Sequence, residues 1–196
     1  MKRDLITSVI GILVLTLALG VIYPLFITGV SQVSFPGNAN GQKVYVDGKL
    51  VGSKIIGQSF GGNRRYFQSR PSATTPADNA AGTAFSNLGP NNVATEKAIA
   101  TNIKAYLKLE QPYDPGLTAA TVPVDAADSS ASGIDPDISP ANADIQAHRI
   151  AAVRHLSMPT VMSLISKYSH GRGLGFSGEP GVNVLQLNLA LDRLAV

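Results

Sequence analysis

Cysteine is absent from the 196 residues. That excludes a disulfide scaffold, a thiolate zinc site, a cysteine nucleophile and a lipoprotein anchor, which needs an acceptor cysteine. Charge is scarce as well: Asp, Glu, Lys and Arg make up 15% of the chain, against roughly 25% in an average soluble domain. The 16 basic and 13 acidic side chains leave a formal charge of +3. So small an excess argues against the dense cationic surface of a nucleic-acid binder, and no nucleic-acid partner is expected. No repeat of fixed period and no block of like charge occurs. Between Asp4 and Lys43 there is no charge at all.

That gap is filled by a hydrophobic run. Leu5 to Val30 reads LITSVIGILVLTLALGVIYPLFITGV, 26 residues without a charge. As a helix it is about 39 Å long, enough to cross a hydrocarbon core of roughly 30 Å with some tilt. Gly11, Gly20 and Pro24 weaken a helix in water but are tolerated in a bilayer, where the backbone has no other hydrogen-bond partner. Tyr23 suits an interfacial position. A cleaved signal peptide is the competing reading, with Ala18-Leu19-Gly20 as a weak cleavage site. Its apolar core would be only 7–15 residues, and this run is longer. Lys2 and Arg3 precede the run, so the positive-inside rule places residues 1–4 in the cytoplasm, 5–30 across a bacterial inner membrane and 31–196 in the periplasm. The small residues Gly11, Ala18 and Gly20 are the expected packing positions of the span.

The exported 166 residues are expected to form one α+β domain, helices packed on a small sheet around a single core. Lys43–Val51 reads as two short strands about the turn Asp47-Gly48, with Ile55 and Ile56 as a candidate continuation. Residues 70–92 are a long loop rich in Pro, Gly, Asn, Ser and Ala, of the kind that is functional or covered by a partner. Ile99, Ile103, Tyr106 and Leu107 have helical spacing, with Asn92 or Thr95 as cap. Residues 111–138 form a second loop, broken by four prolines. Ser139-Pro140 then looks like an N-cap with proline at N1, opening a helix to about Leu156. A further helix spans 157–168, with Val161, Leu164, Ile165 and Tyr168 on one face. Residues 182–188 read as a strand, or a strand turning into a short helix.

Chemistry-bearing constellations are sparse. Ser132 near Asp135, with His148, His155 or His170 as base, supplies the parts of a serine hydrolase. No G-x-S-x-G elbow frames Ser132, which sits where serines make local turns. Asp135, Asp137, Asp144 and His148 are close in sequence, but they match neither an EF-hand nor an H-E-x-x-H pattern. Gly171-Arg172-Gly173-Leu174-Gly175 lacks the phosphate-loop spacing, and the topology keeps cytoplasmic ATP from it. What remains is a concentration of Arg, aromatic and polar residues in loops: Arg64, Arg65, Tyr66, Phe67, Arg70, Asn87, Ser132 and Asp135. Such residues serve as interface anchors. Equally, Tyr66 and Phe67 could be core residues on the two sides of a strand, with Arg70 paired to a buried carboxylate.

An ordered set of motifs narrows this. Gly57-Gln58-Ser59-Phe60 is followed by Tyr66-Phe67-Gln68-Ser69-Arg70-Pro71-Ser72-Ala73, by Ser86-Asn87-Leu88-Gly89-Pro90 and by Pro123-Val124-Asp125-Ala126. Ala131 to Ala141 reads ASGIDPDISPA, and Gln146, Arg149 and Arg154 lie beyond it. Gly173-Leu174-Gly175, Gly178 to Leu185 (GEPGVNVL) and Leu187-Asn188 close the set. Together with the single amino-terminal span, these residues resemble the C subunit of the bacterial Kdp potassium-transporting P-type ATPase across essentially the whole chain. Two departures stand out. The family carries Gly-Gly where this chain has Ala84-Phe85, and histidine where it has Asp137.

The resemblance implies a non-catalytic subunit of an ATP-driven potassium uptake complex of high affinity. Its implied partners are a potassium-channel-like subunit, a P-type ATPase subunit and a very small membrane subunit. The complex uses ATP, Mg and potassium, while this chain is expected to bind no cofactor or metal directly. The family is described as a catalytic chaperone that raises the ATP affinity of the pump subunit. From outside the membrane such an effect implies coupling through the complex. The exported domain is expected over the outer potassium entrance, where a near-neutral surface avoids repelling cations. The resemblance marks Gln58, Phe60, Tyr66, Phe67, Arg70, Pro71, Ser72, Asn87, Ser132, Asp135, Pro136, Ser139, Gln146, Arg149, Glu179 and Asn183 as structural or interface residues. A free-standing periplasmic hydrolase and an anchored ligand-binding module are the alternatives.

Overall fold

The charge-free run is helical throughout. In a computed structural model that describes residues 2–82 and 87–194, helix α1 (Lys2–Leu17), a π-turn (Ala18–Ile22) and helix α2 (Tyr23–Ser34) follow without a break. Together they make 33 residues of helix, long and apolar enough to cross a membrane. The π-turn has a local cause. Pro24 has no N–H to donate, and its ring crowds the carbonyl of Gly20 four residues back. The turn before it widens, so that the Tyr23 N–H donates to Ala18 O, five residues away. Near the amino-terminal end the Thr7 and Ser8 hydroxyls donate to the carbonyls of Arg3 and Asp4 at 3.0 and 2.9 Å. Each is thereby satisfied inside its own helix. The helix stops at Phe35, because the residue before a proline is pushed out of the helical region, and a single turn α3 (Pro36–Ala39) follows.

The chain divides into two compact units, residues 1–51 and 52–196. Strands β1 (Lys43–Val46) and β2 (Lys49–Ser53) form the expected two-stranded sheet. Asp47 and Gly48 both have positive φ, 49° and 75°, the I′ geometry whose twist matches that of paired strands. Ile55 and Ile56 do not prolong β2. At Ser53 the chain turns instead, its hydroxyl accepting from the Ile55 N–H at 3.3 Å.

The second unit is mixed helix and small sheet. Its elements are α4 (Val93–Glu110), α5 (Val124–Ala127), β3 (Asp137–Ile138), α6 (Pro140–Arg154), α7 (Met158–Tyr168), β4 (Ser169–His170), β5 (Gly181–Asn183) and α8 (Val184–Arg193). Side chains cap the long helices: Asn92, Ser139, Ser157 and Asn183 accept from the N–H groups of Ala94, Asn142, Thr160 and Gln186. β5 is the middle of an antiparallel sheet ordered β3-β5-β4. The main core joins Ile138, Ile150, Val161, Ile165, Val182, Leu187 and Leu191, drawn from the sheet, α6, α7 and α8, with Phe67 from an irregular segment. A smaller cluster of Tyr106, Leu117 and Ala126 lies under α4.

One reading of the sequence holds in its second form, a strand turning into a short helix, and two need correction. Residues 182–188 are the end of β5 and the start of a ten-residue helix that runs to Arg193. Asn183 makes the switch, capping α8 while still paired in the sheet. The 111–138 loop contains the single turn α5 and the edge strand β3. Tyr66 and Phe67 lie in a segment without strand structure; Phe67 is nonetheless fully buried in the core.

Candidate functional site

Residues 57–74 have almost no regular structure, so their backbone polar groups need partners from elsewhere. Side chains of α6 and α8 supply them. Arg149 and Glu110 are both 0% exposed, and the Arg149 Nε lies 3.0 Å from each Glu110 carboxylate oxygen. Arg149 Nη1 donates to the carbonyls of Arg64 and Tyr66 at 2.5 and 2.9 Å, and Nη2 donates to Gln146 Oε1 at 2.9 Å. Gln146 Oε1 also accepts from the Gln68 N–H, and its Nε2 donates to Gln68 O and Asn142 Oδ1. On the other flank Asn188 brackets Phe67, accepting from its N–H at 2.8 Å and donating to its carbonyl at 2.9 Å. Every nitrogen of the buried guanidinium group therefore meets an oxygen, as burial of a charge requires.

The network shifts protonation. Burial pushes the Glu110 carboxyl above the usual carboxylate range, with Arg149 pulling the other way. Burial, and then the charges of Glu110 and Asp125, push the Tyr106 phenol far above its ordinary value. Its O–H donates to Asn142 Oδ1 at 2.9 Å.

The residues marked by sequence form a chain of such ties. Tyr66 stacks near Phe60 with ring centroids 5.5 Å apart, lies 5.0 Å from the Arg154 guanidinium, and donates its O–H to Asp192 at 3.1 Å. Gln58 O accepts from the Ser69 hydroxyl at 3.0 Å. Arg70 pairs with Asp135 at 3.0 Å, a partly exposed bridge rather than a buried one. Ser72 Oγ accepts from the Thr74 and Asp78 N–H groups and donates to Gly133 O. Pro136 O accepts from the Val184 N–H. Ser139 and Asn142 converge on Asp125. Asn183 Nδ2 donates to Lys54 O and Asp137 Oδ1. Gly57 fits tightly here, since a Cβ on it would lie 2.6 Å from Asp135 O.

Other marked residues face outward. Asn87 is exposed at φ 49° and lines a hollow of about 560 Å³ with Leu88, Pro90, Ile99 and Ser130. Pro71 and Gln146 border a smaller one of about 230 Å³ between α4 and α6. Glu179 forms a surface pair with Arg172. Ala84-Phe85, the first departure from the family pattern, lies outside the described residues together with Ser86. Gly11 and Ala18 are seven residues apart and share a helix face, whereas Gly20 points roughly half a turn away.

The hydrolase and metal constellations are not assembled. The Ser132 hydroxyl is bonded to Ser130 Oγ and the Ile134 N–H. His170 reaches Asp137 at 3.1 Å, Asp135 is held by Arg70, and His155 is the left-handed C-cap of α6. Among the described residues no three His, Asp or Glu side chains converge as a metal site. The glycine-rich turn spends amides internally: the Gly173 and Gly175 N–H groups donate to Ser177 O and Arg172 O. Sequence reasoning missed Glu110 and Asn142 as buried partners of the ties, and had Asn188 only as part of a motif, without a role. The sequence signal of Glu110 and Asn142 is no more than a polar residue on the apolar face of a helix.

The family model described as "KdpC: K+-transporting ATPase, c chain" matches residues 5–193. A potassium-transporting ATPase KdpC subunit from Methylococcus capsulatus is 50% identical over 188 residues, covering 95% of this chain and 96% of that protein. One from Methylibium petroleiphilum is 48% identical over 193 residues, covering 98% of each. One from Mycobacterium tuberculosis is 46% identical over 195 residues, 99% of this chain and 100% of that protein.

Proposed function

The chain belongs to the KdpC family, the c chain of K+-transporting ATPases, and on that premise we propose that it supports assembly of such an ATPase instead of performing its chemistry. Membership makes it a component of a multi-subunit potassium-transporting complex. The observation that carries the finer reading is where the motif side chains go. Many of them are consumed in bonds that hold residues 57–74 against α6 and against residues 131–139. Groups engaged in this way make poor nucleophiles and poor ligands; they make a shaped surface. A shaped surface on a membrane-anchored chain suits docking.

In this reading the amino-terminal helix anchors residues 31–196 on the outer side of the membrane, beside a potassium-channel-like subunit, a P-type ATPase subunit and a small membrane subunit. An effect on the ATP affinity of the pump subunit is then a coupling free energy transmitted through those partners. The test is purification of the tagged full chain in mild detergent from cells grown on limiting potassium. Stoichiometric recovery of the other ATPase subunits is expected. A chain that purifies alone, with potassium-limited growth unaffected by its deletion, would overturn the reading.

A further inference from the structure

The turn between β4 and β5 has no role in the network of ties. Residues 171–180 are all exposed, yet they are shaped by their own bonds. The Gly173 N–H donates to Ser177 O at 2.7 Å, and the Ser177 and Phe176 N–H groups donate back to Gly173 O at 2.8 and 3.2 Å. At the base, Arg172 Nη2 lies 2.9 and 2.8 Å from the two carboxylate oxygens of Glu179. The tip carries Leu174, 90% exposed, and Phe176, 77% exposed. Leu174 is also held at φ 54°, a left-handed conformation that a large side chain rarely adopts without cause. The turn is rooted in β5, whose three residues are all buried.

A preformed loop that strains a leucine in order to expose it, two residues from an exposed phenylalanine, has the character of an interaction surface. We propose that residues 173–178 form an apolar finger that seats Leu174 and Phe176 in an apolar crevice on another subunit of the same ATPase. This rests on the assembly reading above. Charge selects a protein crevice over a lipid surface. Arg172 and Glu179 are the only charged residues from 171 to 180, and they neutralise each other. The tip thus offers no free cation to anionic headgroups, which lipid-seeking segments combine with their apolar face. A crevice between protein subunits needs only an apolar anchor of this kind.

The test compares the tagged full chain with the double variant Leu174→Asn, Phe176→Ser, each purified in mild detergent with the complete ATPase. Asparagine accepts the left-handed region more readily than leucine, and neither side chain is part of the core, so the unfolding midpoint of the variant should be no lower than that of the native chain. The expected result is at least a tenfold loss of recovered ATPase subunits, with recovery retained by the apolar control Leu174→Met, Phe176→Leu. Equal recovery from the double variant overturns the finger. So does a variant that keeps its partners but loses flotation with phosphatidylethanolamine–phosphatidylglycerol vesicles, or loses only self-association. If the native chain recovers no ATPase subunit, the assembly reading fails first, and the finger with it.

Discussion

Arg149 shows how a single residue can bind an irregular segment to a helix. Its guanidinium satisfies Glu110, Gln146 and two loop carbonyls at once. Arg149→Met leaves the Glu110 carboxylate buried without its counter-charge, and breaking such a pair from one side costs about 3–5 kcal/mol. A urea titration followed by circular dichroism should show a loss of that size. The double variant Arg149→Met, Glu110→Leu should recover much of it, because no charge is then left unpaired. Tyr106 makes the opposite kind of prediction. Its phenol pKa is raised in the folded chain, first by burial and then by Glu110 and Asp125, so the folded state holds the proton more tightly than the unfolded one. The stability it contributes is present below the ordinary tyrosine pKa of about 10 and declines as pH rises beyond it. Tyr106→Phe should therefore lose less stability than the native chain between neutral and strongly alkaline pH, measured as the shift in urea midpoint. At neutral pH the same change should cost about 0.5–1.5 kcal/mol for the lost hydrogen bond.

Helix starts and turns were legible because their determinants are local. Ser139 accepts from the Asn142 N–H three residues on, Pro140 occupies the first turn, and the Asp47-Gly48 pair sets the hairpin by its positive φ values. Ser139 does more than a cap requires. Its hydroxyl also donates to Asp125 at 2.7 Å, and its N–H to the other oxygen of the same carboxylate at 2.8 Å. Loss of the cap alone costs about 0.5–2 kcal/mol. Ser139→Ala should fall at or above the upper end of that range in thermal or urea unfolding, because it also removes one bond to Asp125. Ser157→Ala, whose hydroxyl is exposed and reaches only Thr160, should stay in the lower half. Element length was less legible. The sequence offers α8 only as a short helix following a strand, since its buried residues Val184, Leu185, Leu187, Asn188 and Leu191 include a polar one. That residue looks like an interruption until its bonds to Phe67 are known.

At the scale of the whole molecule, the helix Lys2–Ser34 is long and apolar, and among the described residues none of its most apolar window is buried. Its side chains are exposed, as in a segment whose solvent is lipid. Removing residues 5–30 should release the chain from the membrane fraction and abolish potassium uptake at micromolar external potassium. Fractionation and a potassium-depletion assay check the two halves of that expectation. Residues 52–196, with their own core and capped helices, should keep their circular dichroism spectrum after the deletion. Uptake that persists in the truncated chain would sink the anchoring role.

The sequence by itself determined the membrane-length helix, the hairpin turn, the helix starts and, through its ordered motifs, the family. All of these follow from residues within a turn or two of each other, or from a pattern matched position by position. Only the tertiary structure decided what the motif residues do. Phe67 meets Asn188 across 121 residues, Gln68 meets Gln146 across 78, and Arg70 meets Asp135 across 65. Which carbonyl a buried arginine or amide will satisfy depends on how the loop and helices pack, because hydrogen bonding constrains the pair and leaves no period in the chain. The same distinction holds at the scarce charges. Their number was countable at once. That Arg172 and Glu179 cancel beneath an exposed leucine and phenylalanine, while Arg149 and Glu110 cancel in the interior, could only be decided by the fold.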